Sequence, residues 1–427
     1  MRRSRGATAI RRWSDLVRWL GALLFFGLVC PGEWYALRLP LKPAFLLAGA
    51  GVAALRLASA GRMRTAARAL LAPPLGCFAL FLLTALAALS RSAHPRPGFA
   101  FMALYVSALL VALAAAGESP AVILGVYRHA VGLNLLLSVS AHLPGLVPGF
   151  IRVDGVLRFG GLYAYPSPLA AAAAAYLLMF LQHRWERMAK GDAPQAPAYA
   201  RALGWLELAA ASWVLWQARS RGVLMVLFAV SVGFLVAHGV FRLFRHPAEP
   251  VPAWPLFTAA LSLVLLAETQ MTRGPAGLAS MSGRVPAWEH ALSAIAARPF
   301  LGYGPGSFRD VFQPEQGVGW HSFGSHNAIL DACLYSGVFG GLFYTCFLGG
   351  VVLGTAARFA RQPARAGVPF ILTAFWVLLA MTDPFLMRWP YSSHVVLLVM
   401  AALVSSPDDR PHLDGGTAVD RRAGRCW

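Results

Sequence analysis

The sequence predicts an all-α, polytopic integral membrane protein with about twelve transmembrane helices and one large loop on the far side of the membrane from its N-terminus. Three observations predict it. Of 427 residues, 58% are hydrophobic and only 13% charged, a balance that a water-soluble shell does not allow. The apolar residues fall in runs close to the roughly twenty needed to cross a hydrocarbon core, such as 70–89, 121–143 and 222–241. Arginines gather in short clusters between those runs, at 56–68, 184–201, 242–245, 358–365 and 410–425. Because lipid offers the backbone no hydrogen-bond partner, such runs are expected to be helical.

The spans are expected at 16–31, 43–57, 70–89, 98–116, 121–142, 161–181, 203–218, 222–241, 254–270, 326–356, 367–386 and 391–405. With the N-terminus inside, every arginine cluster falls on the inner side, as the positive-inside rule requires, and both termini are cytoplasmic. The short 117–120 link must be a true turn for this alternation to hold. Arg2, Arg3, Arg5, Arg11 and Arg12 before the first apolar run resemble a signal peptide, but no small-residue cleavage site precedes Pro31, so 16–31 reads as an uncleaved span. The chain thus divides into spans one to nine (1–270), a loop (271–325), spans ten to twelve (326–405) and a cytoplasmic tail (406–427). The alanine run 170–175 predicts close helix packing.

The formal charge of +19 invites a nucleic-acid partner, but the arginines form no basic face or stripe, so nucleic acid is not expected. Four of the five cysteines lie in or beside apolar runs and no CxxC occurs, so neither a disulfide framework nor a zinc site is indicated. External carboxylates (Glu33, Asp154, Glu289, Asp310, Glu315) are scattered, so no divalent-metal site is expected.

A loop as long as 271–325 is usually functional. Within it, 285–297 reads as a short helix with Pro286 in its first turn and Trp288, Leu292 and Ile295 on one side, suited to lying at the membrane surface. Arg219 and Arg221 sit at an external turn between two apolar segments, where carrying a charge into lipid would cost roughly 2.5 to 3.5 kcal/mol. Snorkelling to the headgroups is the competing reading. Two residues apart on a helix, they would point about 200° from each other, so one faces a common site, and Arg221, beside Gly222, is preferred. Arg284 stands just ahead of the surface helix. The stretch from Arg298 to Phe308 carries three glycines without the Gly-Lys-Ser/Thr of a nucleotide loop. His326 opens the tenth span, with Ser325 placed to cap it, and a helix N-terminus favours a neutral imidazole able to accept a proton. His290 and His321 are less well placed. Asp331 and Asp383 could support a site or pair with an arginine. Arginines with a histidine and little acid suggest a phosphate-bearing lipid as ligand.

These segments resemble the O-antigen ligase and O-antigen polymerase superfamily of bacterial envelope glycan enzymes over about 158–340. Arg158-Phe-Gly-Gly-Leu-Tyr-Ala-Tyr-Pro-Ser-Pro168 is similar to its Arg-x-x-Gly-x-x-x-Asn-Pro-Asn segment, with Tyr165 and Ser167 in place of the usual asparagines. Ser220-Arg221-Gly222 resembles its Ser-Arg-Gly, and Gly283 through Trp288 its loop arginine and tryptophan. Arg298 to Phe308 is similar to its glycine turn, and Ser325-His326-Asn327 with the downstream Tyr335 to Gly340 to its His-Asn and Gly-Ile-x-Gly stretch.

The resemblance implies a GT-C-like glycosyltransferase of the bacterial inner membrane that moves a glycan from undecaprenyl diphosphate at the periplasmic face without metal or nucleotide cofactor. It implies His326 as general base, Arg221 and Arg284 on the diphosphate, and Arg158, Arg219 and Arg298 as further binding candidates. A ligase acting on the lipid A-core is favoured over a polymerase extending the chain on its carrier, because a large loop ends at a histidine. The competing class, a twelve-span secondary transporter, lacks a convincing repeat of the first half in the second.

Overall fold

The computed structural model describes residues 41–58, 63–92, 95–116, 120–143, 149–153, 155–163, 165–189, 198–244, 251–273, 284–307, 311–312, 324–383 and 392–405. The expected first span (16–31), the 117–119 link and the tail (406–427) lie outside the described residues. The helices are α1 (Leu41–Ala58), α2 (Met63–Leu71), α3 (Pro73–Ala88), α4 (Pro95–Ala115), α5 (Pro120–His142), α6 (Pro166–Ala189), α7 (Ala198–Ala218), α8 (Arg221–Phe244), α9 (Trp254–Arg273), α10 (Arg284–Ala297), α11 (Ala328–Arg361), α12 (Pro363–Ala380) and α13 (Ser392–Ser405).

Among the described residues, six helices are long and apolar enough to cross a membrane: α3 with its 3-10 extension, α4, α5, α8, α9 and α11. Shorter apolar stretches occupy α1, α12 and α13. Helices α6 and α7 have the length but interrupt their apolar runs, with Gln182, Arg184, Glu186 and Arg187 in one and Arg201 and Glu207 in the other. The protein is a polytopic helical membrane protein. The fold is all-α as expected, with one small addition, an antiparallel hairpin of β1 (Phe150–Val153) and β2 (Val156–Phe159). Val153 pairs with Val156, and the Asp-Gly that lies between them in the sequence is a strong short-range hairpin signal.

Helix α11 lies along α3 and also touches α12 and α13, while α4 packs on α1 and α13. Helices α5, α6 and α7 pack on one another and join the rest through α6 and α12, and α8 pairs with α9 and rests on α12. The alanines at 170–175 are all buried, so backbones approach closely along α6 as the run predicts. Between α3, α4, α11 and α13, the rings of Phe78, Tyr105, Tyr344 and Phe347 surround His394, whose ring lies 4.6 Å from Tyr105 and 5.3 Å from Phe78. Lipid is as apolar as these rings, so the gain here is tight contact rather than transfer out of water.

The expected surface helix forms as α10, but it lies against protein. Ala287 and Ala291 are buried toward α11, where Ala294, Ile295 and Tyr303 pack with Leu330 and Leu334, and Leu292 is left exposed on the flank. The loop beyond it folds inward as well. Helix α11 is broken at Ser336 (φ −137°, ψ 16°) and Gly337 (φ 71°, ψ −177°), and residues 298–307 fill the break. Tyr303 N donates to Leu334 O (2.7 Å), Gly304 N to Tyr335 O (3.1 Å) and Val338 N to Pro299 O (2.7 Å). Two segments far apart in sequence therefore complete each other's backbone hydrogen bonds, the condition for irregular backbone at membrane depth.

The φ and ψ of Gly337 belong to a region essentially closed to other residues. Gly337→Ala is expected to cost about 1 to 3 kcal/mol or more, because the added Cβ also meets the backbone of Phe300. Gly349→Ala, where nothing lies within 4 Å, is expected to be neutral. Thermal unfolding of the detergent-purified variants checks both.

Candidate functional site

The α7–α8 turn is tight because Arg219 adopts φ 46°, a left-handed conformation uncommon outside glycine. It turns Arg219 and Arg221 to different surroundings. The Arg219 guanidinium pairs with Glu268 of α9 at 3.2 Å, both partly exposed. Arg221, the first residue of α8, is buried. Ser220 accepts Leu224 N at 3.1 Å and starts the helix.

Arg158, on β2, is buried and donates Nε–H to Ala218 O at 2.8 Å, so the hairpin is tied to the last carbonyl of α7. A cation at a helix C-terminus is favourably placed against the negative end of its dipole. Arg284, the first residue of α10, donates Nε–H to Thr382 O (2.6 Å) just beyond α12. Its Nη2 lies 3.3 Å from where a Cβ on Gly222 would sit, so the small residue after Arg221 makes room for a second guanidinium on the same turn. The Arg284 guanidinium thus lies against the first turn of α8, which Arg221 opens.

The histidine turn arrives at the same end of α12. Asn327 Nδ2 donates to Met381 O at 3.4 Å, one residue before the carbonyl that holds Arg284. The expectation that Ser325 caps the helix needs correction: Asn327 caps it, its Oδ1 accepting from Ile329 N (3.0 Å) and Leu330 N (3.2 Å). His326 therefore precedes α11, with φ 56°. Ser325 bonds instead to Asp331, its N and Oγ donating to Oδ1 at 2.9 and 2.7 Å. Asp331, left open as support or as an arginine partner, holds this turn through Ser325. Asp383, buried, directly follows Thr382.

The structure brings together the segments of Arg221, Arg284 and His326, with Arg158 behind them. It does not bring in Arg298, which is exposed and stacks on the Tyr303 ring at 4.5 Å, at the opposite end of α10 and roughly 20 Å along its axis from Arg284. Among the described residues, no three His, Cys, Asp or Glu gather as metal ligands. Sequence reasoning missed the carbonyls of Met381 and Thr382, which no residue type announces, and the capping role of Asn327, for which Ser325, two residues earlier, was an equally good candidate.

The fold is that of a polytopic helical membrane protein in which the segments of Arg221, Arg284 and His326 meet. Residues 160–345 match the family model described as O-Antigen ligase, a family that implies a glycan-transferring enzyme and lipid-linked glycan substrates. No curated protein matches the chain. The matched region spans from the end of β2 to the middle of α11 and so covers Arg221, Arg284 and His326.

Arg158→Met keeps the buried bulk but leaves Ala218 O without its donor. It is expected to destabilise the protein by about 1 to 3 kcal/mol, read as a lowered unfolding temperature, and Arg158→Lys to recover little because an ammonium cannot reproduce the Nε–H geometry.

Proposed function

We propose that the protein is an O-antigen ligase-type glycosyltransferase that moves a glycan from undecaprenyl diphosphate to the lipid A-core, or another surface acceptor, at the periplasmic face of the bacterial inner membrane. The observation that carries this is the meeting at the end of α12 of Arg284, laid over the Arg221 turn, with the segment that presents His326. The topology that suits it is the twelve-span alternation with cytoplasmic termini, which puts the C-terminal ends of α7, α9 and α12 and the start of α11 outside.

In this reading the diphosphate lies at the N-terminus of α8 between Arg221 and Arg284. Each close charge pair there contributes about 4 kcal/mol at an effective dielectric near 20. The anomeric bond to the diphosphate breaks as the acceptor hydroxyl attacks, and the leaving diphosphate gains negative charge. Arginine contacts therefore strengthen in the transition state and lower the barrier as well as hold the donor. His326 takes the hydroxyl proton, a contribution of roughly 10²- to 10⁴-fold. Arg158 and Arg219 hold the α7–α8 turn from either side.

The test is deletion of the gene, complementation with His326→Ala, Arg221→Lys or Arg284→Lys, and a gel of the lipopolysaccharide. The expected result is an uncapped core with long polymer retained on its carrier, severe for His326→Ala and also marked for the lysine variants, which lose bidentate contact. A core bearing a single repeat would move the assignment to the polymerase, and a normal ladder from His326→Ala would remove the histidine from the chemistry.

A further inference from the structure

Three features of the turn before α11 converge on one residue that the mechanism above does not use. His326 has φ 56°, a conformation that side chains beyond Cβ disfavour and that persists only where the surroundings over-determine it. Ser325, which precedes it, is fully buried and gives both its N–H and its Oγ–H to Oδ1 of Asp331. Asn327, which follows it, donates its N–H to Ser325 Oγ at 3.1 Å and fixes the helix start with its own side chain. Asp331 is itself buried one turn into α11, where a carboxylate is favoured by the helix N-terminus. On the other side of the turn, Gly324 approaches so closely that a Cβ there would sit 3.2 Å from Asp331 Oδ2.

We propose that Asp331 is a positioning residue for His326: by holding Ser325 it locks the turn in the one backbone conformation that presents the imidazole beside the end of α12, rather than along the axis of α11. The proposal rests on His326 being the base. Released from Asp331, the turn relaxes toward ordinary φ and the ring moves away from the acceptor, while the arginines stay where α8 and α12 hold them.

The test uses host inner-membrane vesicles carrying their own lipid-linked glycan and acceptor for the transfer rate, and undecaprenyl diphosphate binding to the purified full chain for the affinity. Asp331→Ala is expected to slow transfer roughly 10- to 100-fold, as a misplaced catalytic group does, with the diphosphate Kd unchanged. Asp331→Asn, whose amide oxygen still accepts from Ser325, should recover most of the rate. Ser325→Ala should slow transfer by a smaller factor. In a His326→Ala background, Asp331→Ala should produce no further loss. An Asp331→Ala rate equal to wild type, or a loss that multiplies with that of His326→Ala, overturns the positioning role. Should Asp331→Ala not fold, Asp331→Asn and Ser325→Ala decide: wild-type transfer by Ser325→Ala, or an Asp331→Asn rate no better than His326→Ala, overturns it. Wild-type transfer by His326→Ala instead overturns the reading of His326 as the base, from which the proposal starts.

Discussion

A helix broken inside a membrane leaves carbonyls and N–H groups that lipid cannot satisfy, and the break at Ser336–Gly337 is the constraint from which much of this architecture follows. The orphaned groups of α11 must find protein partners, and residues 299–304 supply them. Meeting that need draws the segment after α10 into the bundle, seats α10 against the first half of α11, and so fixes Arg284 relative to the His326 turn. The segment after α10 is therefore anchored by backbone hydrogen bonds to the break in α11. The same break lets the first half of α11 depart from the axis of the second, which stays packed along α3.

The second constraint is charge. Arginines at a helix–helix turn near lipid are costly, and the protein answers each in a different way. Arg158 goes to a helix-terminal carbonyl, Arg219 to the Glu268 carboxylate, and Arg284 to a carbonyl past the end of α12. The Nε of Arg284 is occupied in this way while its Nη2 reaches the α8 turn, so one side chain is both anchored and presented.

Much of the helical framework was legible in the sequence because apolar runs of spanning length allow few other structures. Arg219 and Arg221 do go to different surroundings, but through the left-handed backbone of Arg219 ahead of α8 rather than through helical spacing, which the sequence did not show. Other features had a signal that helical reasoning passed over, as with the hairpin, whose strands flank an Asp-Gly in the sequence. The inward fold of the glycine segment had none, since a glycine-rich turn reads the same whether it faces water or fills a broken helix.

What the sequence alone determined was the kind of element each stretch becomes and which residues are costly enough in lipid to need a reason, because both follow from local composition and the properties of the solvent. Which of those residues meet was decided by tertiary structure. Arg284, Thr382, Asn327 and Asp331 are related by hydrogen bonds across as many as 98 residues of chain, and such bonds depend on where helices cross, which no local pattern encodes.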